Sequence, residues 1–421
     1  MKCFRGLSLP PLLLLLSLAA ARPARAQSGC PDPQASNYNP AATRNDGSCQ
    51  YPITGTALPP KAALNPELNE SSGLQVASGG LWSHNDSGNA PVLFRVDSAS
   101  GRTMQRVRLH GTANVDWEDL AADATYLYVG DFGNNFGNRR DLRILRVALA
   151  DLGPAADSAG AQVIAFRYPD QTDFTSRLNQ HNFDCEAMFF AHDSLHLFTK
   201  DWVDFKTRYY TVPAAPGSYV AHLKATFDVN GLITAADINP AGTVAALLGY
   251  DTRNGAAFAW LLSDFKSTAF LGGNKRRIEL PSVLRVGQVE GLAFAGRDQL
   301  FISNEQLSNA LVTVPAQLYG LAVGRWLPGT ALATTSPRST DVGIVATPNP
   351  ARQRLHLARS AGAAGVAQVR ILNMQGQEVL ADTLAAEARQ QDLDLAGLSE
   401  GVYILEVQLS GRTHTQKLVV P

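Results

Sequence analysis

Charge, cysteine and long apolar segments are all scarce in this 421-residue chain. Charged residues make up 17% of it, and it contains four cysteines. Apart from one run near the N-terminus, no segment approaches the roughly 20 apolar residues that a membrane-spanning helix needs. No serine or cysteine stands in a nucleophile-elbow context, and no dinucleotide-binding or phosphate-loop motif is present. The sequence therefore offers no support for a membrane-spanning protein, a nucleotide-dependent enzyme or a serine hydrolase.

The N-terminus is typical of a secretory signal peptide. Two basic residues precede an apolar run from Leu12 to Ala21, and Ala24-Arg25-Ala26 forms a small-x-small cleavage site. We therefore expect residues 1–26 to be removed and Gln27 to begin the mature chain. Removing four basic residues and no acids from the 36 basic and 37 acidic residues leaves a net charge of −5. A mildly acidic exported chain is a poor binder of nucleic acid or anionic membranes.

The use of cysteine agrees with export. Cys3 is lost with the signal peptide, and Cys30 and Cys49 form a natural disulfide pair in an oxidising compartment. Cys185 stands between two acidic residues on a predicted strand. Reactive thiols need electropositive surroundings, so we expect Cys185 to be an inert core residue.

Residues 27–53 form a short module around the predicted disulfide. It resembles a cysteine-stapled repeat common near the termini of exported Bacteroidetes proteins, which is sometimes likened to thrombospondin type 3 calcium repeats. Its hard oxygen donors are of the kind that calcium takes. The alternative is that Asn, Asp and Gly make tight turns around one disulfide. The donors are Asp32, Asn37, Asn39 and Asp46.

Residues 54–327 repeat one plan of short strands five times. Each repeat has a first strand that opens on a polar residue, a second strand that ends in a polar cluster, and a third strand. Such repeats are typical of propeller blades. A sixth blade could be assembled from Ile53–Leu64 and the segment around Gly324–Leu327. The predicted third strands are Val92–Val96, Leu142–Val147, Arg208–Val212, Phe258–Leu262 and Ala310–Val314.

The same plan places polar residues on one face of the propeller. Within a blade the second strand returns antiparallel to the first, so the start of the first and the end of the second lie together. We therefore predict a polar ring around one mouth of the central channel. Its members are Glu70, Glu118, Glu186, Glu290, His84, Asp86, Asp131, Lys200, Asp201, Tyr250, Asn304 and Glu305.

Carboxylates that converge near an axis stay ionised only with a cation, basic partners or water. Calcium binds oxygen ligands of this kind, and the alternative is a solvated channel that holds only water. The last blade resembles gluconolactonase-type propellers, which hold one divalent ion, and the acidic channel resembles propeller phytases, which use several calcium ions. These resemblances imply a calcium-dependent hydrolase of esters, lactones or phosphoesters; the alternative is a non-catalytic glycan- or protein-binding module. The predicted calcium ligands are Glu70, Glu118, Asp131, Glu186, Glu290, Asn304 and Glu305.

Further residues of the propeller are candidates for contact with a ligand. The glycine-rich loop after the second strand of the second repeat is longer than a hairpin needs, and its Asn134 and Arg139 could bind an anionic or sugar ligand. The alternative is a loop of left-handed turns in which Arg139 pairs with Asp141. Lys200 and Tyr250 complete the predicted ligand-binding set. His84 beside Asp86 is the candidate general base.

The last residues, 345–421, carry four motifs in a fixed order. They are Thr347-Pro348-Asn349-Pro350, the alternating Val369–Gly376, Leu398–Tyr403 and Lys417–Val420. This order resembles the C-terminal sorting domain of the type IX (Por) secretion system of Bacteroidetes. The resemblance implies that the type IX machinery carries the protein to the cell surface or the medium. The β-rich pattern suits an immunoglobulin-like sandwich, and residues 328–344 read as a linker.

Taken together, these patterns predict an all-β protein. We expect a five- or six-bladed β-propeller with an N-terminal disulfide-stapled module and a C-terminal immunoglobulin-like β-sandwich. We further expect a monomer that binds a small molecule or glycan.

Overall fold

A computed structural model describes residues 27–308, 313–328, 343–360, 363–373, 377–409 and 412–421 of the chain. The signal peptide predicted at 1–26 and most of the linker predicted at 328–344 lie outside these residues. The chain divides into two compact units, and the division falls after Pro328. No helix among the described residues is long and apolar enough to cross a membrane.

Five antiparallel sheets follow one another along the first unit and form the blades of a propeller. The first strand of each blade contacts the first strands of both neighbouring blades, so the five form a closed ring. Blade 1 comprises Ser71–Ala77, Gly80–Asn85, Val92–Val96 and Thr103–Leu109; blade 2 comprises Trp117–Ala122, Tyr126–Asp131, Arg143–Ala148 and Gln162–Arg167; blade 3 comprises Asp184–Ala191, Ser194–Lys200, Thr207–Pro213 and His222–Phe227; blade 4 comprises Leu232–Ile238, Val244–Asp251, Ala256–Ser263 and Asn274–Glu279; blade 5 comprises Gln288–Phe294, Gln299–Glu305, Gln317–Ala322 and Pro60–Ala63.

Short elements decorate the edges of the blades. Ser158–Ala159 and Gly217–Val220 extend blades 1 and 2 in parallel. The helical segments are single turns: Pro66–Leu68, Leu149–Leu152, Phe270–Gly272 and Gly324–Trp326 are 3-10 turns, and Val283–Val286 is α-helical. The inner strands read as continuous apolar runs because both faces of each blade are covered; Val244–Asp251, for example, is buried at every residue.

Apolar side chains fill each of the interfaces between neighbouring blades. Trp82 and Leu145 belong to the core between blades 1 and 2, and Phe189 and Phe258 belong to the core between blades 3 and 4. Cys185 is a free thiol, fully buried between blades 2 and 3, which confirms that it is a core residue. Burial raises the pKa of this thiol well above its usual range.

The N-terminal strand Pro60–Ala63 closes the ring. It pairs antiparallel with Gln317–Ala322 and completes blade 5, so strands from both ends of the domain meet in one sheet. Closure of this kind leaves only short, protected strand edges. The segments considered for a sixth blade are used elsewhere, since the second of them forms the turn Gly324–Trp326. The described propeller therefore has five blades.

The third strand of blade 5 does not have the predicted bounds. It is Gln317–Ala322, later than the predicted Ala310–Val314. The described part of the predicted segment, Thr313–Val314, pairs instead with Leu307–Ser308. A short hairpin between the second and third strands thus delays the return of the chain to the sheet.

The disulfide-stapled module packs on the outer strand of blade 4. Cys30 and Cys49 are bonded, as predicted. Lys275 Nζ donates to the carbonyl oxygen of Gly47 at 3.0 Å, and the Arg276 guanidinium lies over the ring of Tyr51. The predicted calcium donors of the module accept backbone N–H groups within it, three of them in two-residue Asx turns. These bonds favour the interpretation of the module as turns around a disulfide.

The C-terminal unit is a sandwich of two sheets around one core. Its motifs Thr347-Pro348-Asn349-Pro350 and Lys417–Val420 are joined by a single side chain. Asn349 Nδ2 donates to the carbonyl oxygen of Lys417, and Asn349 Oδ1 accepts from the N–H of Val419 at 3.0 Å. The first sheet contains Ile344–Thr347, Arg354–Arg359 and Gln390–Asp394; the second contains, in spatial order, Glu378–Leu384, Ala367–Leu372, Gly401–Leu409 and Arg412–Val420.

Deleting residues 27–64 should destabilise the propeller far more than deleting residues 27–53. The longer deletion removes the strand Pro60–Ala63 and exposes an edge of blade 5, whereas the shorter one keeps the ring closed. We expect the thermal midpoint of the longer deletion to lie at least about 5 °C below that of the shorter one. Thermal unfolding followed by circular dichroism checks this. Equal midpoints would show that the strand does not close the ring.

Candidate functional site

The start of each first strand lies opposite the end of the second strand in every blade. The paired residues are Ser71 and Asn85, Trp117 and Asp131, Asp184 and Lys200, Leu232 and Tyr250, and Gln288 and Glu305. The register therefore confirms that these strand ends share one face of the propeller. We call the opening on this face the mouth.

Each first strand carries a β-bulge at the same place. In blades 3 to 5 the extra residue is Glu186, Thr234 or Glu290, and in blades 1 and 2 the pairs beginning at Ser72 and Glu118 lie opposite one residue. A bulge re-aims a side chain and is common beside functional sites. These five residues occupy equivalent positions around the mouth.

Glu70 was predicted to be the blade 1 member of this ring, but it lies two residues before the bulge of that blade. Ser72 takes the equivalent position, since a bulge adds one residue that the sequence does not mark. Glu70 is exposed and accepts a hydrogen bond from Asn89. It is therefore at the margin of the mouth rather than inside it.

Three carboxylates converge where blades 1 and 2 meet. Asp86, Asp116 and Glu118 each place one oxygen within 4.8 Å of the others. Glu118 is only 4% exposed, yet no hydrogen bond or ion pair among the described residues reaches its carboxylate. Burial, with repulsion from Glu186 and Asp86, raises its pKa well above the usual range. Burial, with repulsion from Asp86 and Asp184, raises the pKa of Asp116 to about 7.

Gly133 lies directly against two of these carboxylates. A Cβ at this position would stand 2.0 Å from Glu118 Oε1 and 2.6 Å from Asp116 Oδ2. The backbone N–H of Gly133 also donates to the carbonyl oxygen of Asp116 at 3.2 Å. The absence of a side chain here leaves the space in which the carboxylates meet.

Lys200 brings a positive charge to the mouth from blade 3. Its Nζ lies 3.1 Å from Glu186 Oε2 and 5.4 Å from the centre of the Tyr250 ring. Burial lowers the pKa of Lys200, but attraction by Glu186, Tyr250 and Glu290 outweighs this and raises it, so the ammonium stays charged. Burial raises the pKa of Glu186 against the attraction of Lys200.

Blade 5 contributes two more acids. Burial raises the pKa of Glu290 to about 7, with Lys200 opposing and Asp86 adding to the rise. Burial, Glu290 and Asp86 raise the pKa of Glu305 well above its usual range. The structure thus brings Glu118, Glu186, Lys200, Tyr250, Glu290 and Glu305 together as predicted. The group holds more acid than Lys200 can neutralise, so it needs protons or a cation.

Two predicted calcium ligands have other roles. The buried Asp131 is paired with Arg139 at 3.1 Å and with Arg143 at 2.8 Å, so both of its oxygens already face guanidinium groups. Asn304 donates to the carbonyl oxygen of Glu305 at 2.6 Å and accepts from the backbone N–H of Gln317 at 2.8 Å. Because these side chains are satisfied by the protein, we do not include them among the ligands.

The loop after the second strand of blade 2 is held by its own polar residues. Asn134 Nδ2 donates to the carbonyl oxygen of Phe183 at 2.9 Å, and its Oδ1 accepts from the N–H of Arg139 at 2.9 Å. Arg139 pairs with Asp141 and Asp131, both at 3.1 Å. The alternative in which Arg139 pairs with Asp141 is observed, and Asn134 and Arg139 shape the loop instead of offering free groups to a ligand.

His84 is buried away from solvent beside Trp117. The ring centres are 5.5 Å apart in an edge-to-face arrangement, and both side chains are fully buried. His84 Nδ1 lies 3.0 Å from the carbonyl oxygen of Asn85 and therefore carries the proton. Burial lowers the pKa of His84 to about 4, so the ring is neutral near pH 7. A general base must reach the proton that it takes, and the role of His84 as a base stays a prediction without structural support.

Asp119 spans the centre of the propeller next to the mouth. Its Oδ2 accepts from the backbone N–H of Met188 in blade 3 at 2.8 Å and of Ala236 in blade 4 at 3.1 Å. Its Oδ1 accepts from the N–H of Leu120 at 2.8 Å. Blades 2 and 4 are not neighbours in the ring, so this fully buried side chain crosses the axis. It thereby ties the first strands of blades 2, 3 and 4 together next to the mouth.

Two members of the carboxylate cluster were missing from the predicted ligands. The sequence analysis placed Asp86 at the mouth without assigning it to the metal, and it assigned no role to Asp116. A positional signal was present. When the blades are aligned on their bulges, Asp86 takes the place that Lys200, Tyr250 and Glu305 hold in other blades. Asp116 stands two residues before the bulge, as Glu70 and Asp184 do.

Comparison with known families identifies the C-terminal unit. Residues 346–421 match the model of the secretion system C-terminal sorting domain. The chain therefore carries a type IX sorting signal and is exported to the cell surface or the medium. No curated protein matches the sequence significantly.

Solved structures show distant likenesses. The PQQ-bound aldose sugar dehydrogenase of Streptomyces coelicolor is 13% identical with a TM-score of 0.38, over 63% of this chain and 98% of that one. Apo AztD from Citrobacter koseri is 10% identical with a TM-score of 0.31, over 77% of this chain and 89% of that one. Likenesses of this size say nothing about ligand or reaction.

Asp119→Ala should lower the free energy of unfolding by at least about 3 kcal/mol, because it leaves buried N–H groups of Met188 and Ala236 without acceptors. Asp119→Asn keeps one acceptor oxygen and should cost less. Urea unfolding measures both, with the exposed Asp141→Asn as a control that should stay near wild type. An Asp119→Ala midpoint equal to wild type would contradict the bridging role.

Deleting residues 345–421 should leave the propeller folded but retain it in the periplasm, because the sorting domain is a separate compact unit with its own core. Cell fractionation with antibody detection measures this, and circular dichroism of the truncated protein checks its fold. Arrival of the truncated chain in the medium would show that the signal lies elsewhere.

Proposed function

We propose that this exported propeller binds a small ligand at its mouth through a calcium ion held by Asp86, Asp116 and Glu118. The observation that carries the proposal is the buried carboxylate of Glu118, which has no partner among the described residues and faces two further carboxylates. An isolated buried carboxylate is costly, and a divalent cation removes that cost.

The three side chains fit calcium in chemistry and in spacing. Calcium binds carboxylate oxygens at about 2.4 Å, so two oxygens on one ion lie at most about 4.8 Å apart. The oxygens of the cluster meet that limit. Calcium takes six to eight ligands, so three side chains leave positions for water and for ligand oxygens. Gly133 keeps this space open.

The other side chains of the mouth would handle the ligand. Lys200 and Glu186 form a fixed ion pair, and Tyr250 and Glu290 lie beside it. Glu290, with a pKa of about 7, can hold or accept a proton near neutrality. These groups can orient a polar ligand whether or not a reaction follows.

Hydrolysis of an ester, lactone or phosphoester is the second candidate, and Glu290 is the residue that favours it. Bound calcium would supply Lewis acidity, and Glu290 would take the proton of the attacking water. A non-catalytic module for glycans or proteins needs the same ion and the same mouth without this proton transfer. Glu290 therefore separates the two candidates.

Calcium should raise the thermal midpoint of the wild-type protein by several degrees at a concentration well above its dissociation constant. Glu118→Gln and Gly133→Ala should lose this shift, the first by removing a ligand charge and the second by filling the space. Asp141→Asn is the matched control, since it removes a nearby carboxylate outside the cluster. Differential scanning fluorimetry with and without EDTA measures the shifts. An equal shift in wild type and Glu118→Gln would overturn the site.

If the protein is a hydrolase, Glu290→Gln should reduce turnover of its substrate at least about 100-fold while leaving the calcium shift intact. Model esters, lactones and phosphoesters, assayed with calcium and after EDTA, provide the measurement. Absence of calcium-dependent turnover across the panel would favour the binding module.

A further inference from the structure

We infer that the mouth selects a neutral, hydroxyl-rich ligand, the sugar ring of a saccharide, and rejects phosphate and carboxylate ligands. This inference rests on the proposed function, because the calcium ion of that site supplies one of the contacts. The calcium ion alone does not determine which chemical class of ligand enters the mouth.

The charges of the mouth disfavour an anion. Three basic side chains near it have carboxylate partners: Lys200 pairs with Glu186, and Arg139 and Arg143 pair with Asp131. Three carboxylates around one divalent ion keep a net negative charge, and Glu290, Glu305 and Glu70 add more acid nearby. An incoming phosphate would lose water and gain like-charge neighbours, which is strongly unfavourable.

The same groups suit hydroxyls. A sugar hydroxyl both donates and accepts, so it can donate to a carboxylate such as Glu186 and accept from the phenol of Tyr250. Two vicinal hydroxyl oxygens can fill free positions on a calcium ion, which binds neutral oxygens as well as carboxylates.

Aromatic surfaces stand beside this polar floor. The ring of Trp202 lies 5.0 Å from Lys200 Nζ and is partly exposed. Its Nε1 donates to Asp184 Oδ2 at 2.8 Å, which fixes the orientation of the ring. The apolar face of a sugar ring can pack on such an indole.

Phe136 provides a second aromatic surface on the loop that begins at Gly133. Its side chain is 51% exposed, although phenylalanine is usually buried. The loop is braced on a neighbouring segment, since the N–H of Arg177 donates to the carbonyl oxygen of Phe136 and that of Asn179 to Asn135, both at 2.9 Å. These bonds hold the loop in place, and Phe136 lies three residues after Gly133 along the chain.

The test uses the mature full-length protein, loaded with calcium. Methyl glycosides of common hexoses and pentoses are the neutral probes, and inorganic phosphate, inositol hexaphosphate and galacturonate are the anionic probes. Saturation-transfer NMR and calorimetry measure binding. We expect at least one neutral glycoside to bind and each anion to bind at least about 10-fold more weakly. Stronger binding of an anion, or no binding of any glycoside by calcium-loaded protein, would overturn the inference.

Substitutions of the two aromatic residues test where the sugar binds. Trp202→Ala should weaken the binding of the glycoside at least about 10-fold and leave the calcium-induced midpoint shift unchanged, while Trp202→Phe should recover part of the affinity. Unchanged affinity in Trp202→Ala and in Phe136→Ala would contradict the aromatic contacts and the inference with them. Sugar binding that persists in EDTA would contradict the calcium site alone, so the two proposals fail separately.

Discussion

The carboxylate of Asp119 is the interaction on which the centre of this propeller depends. It accepts backbone N–H groups from the first strands of blades 2, 3 and 4 and is fully buried. Burial raises the pKa of this carboxyl well above its usual range, and the three N–H donors oppose that rise. The carboxyl group thereby links the first strands of three blades next to the mouth. The acids of the mouth are buried as well, and burial is the largest cause of their raised pKa values.

The repeated bulge explains how polar side chains come to lie at equivalent places around the mouth. Each blade uses the same backbone device at the same level, so each presents one residue at an equivalent place. The fold fixes the place and leaves the residue free to vary. In blades 2, 3 and 5 that residue is Glu118, Glu186 or Glu290, and in blades 1 and 4 it is Ser72 or Thr234. The symmetry of the scaffold thus carries an asymmetric distribution of charge.

The strands, the face of the mouth and most of its members were predictable because strand alternation and antiparallel register are local properties. The role of Asp131 was not, because it depends on Arg143, whose pairing with the carboxylate is visible only once the third strand is in place. The position of Ser72 in place of Glu70 depends on a bulge without a sequence signature. Closure by Pro60–Ala63 is a contact between the two ends of the domain, which no local pattern encodes.

Export and the chemistry of the mouth support one another. Calcium sites of extracellular modules are weak and fill at the concentrations found outside the cell. A cluster such as Asp86, Asp116 and Glu118 carries its own repulsion, so it gains most from a cation where that cation is abundant. The sorting domain brings the propeller to that environment. If calcium binds at this cluster as proposed, the propeller would take up the ion only after export.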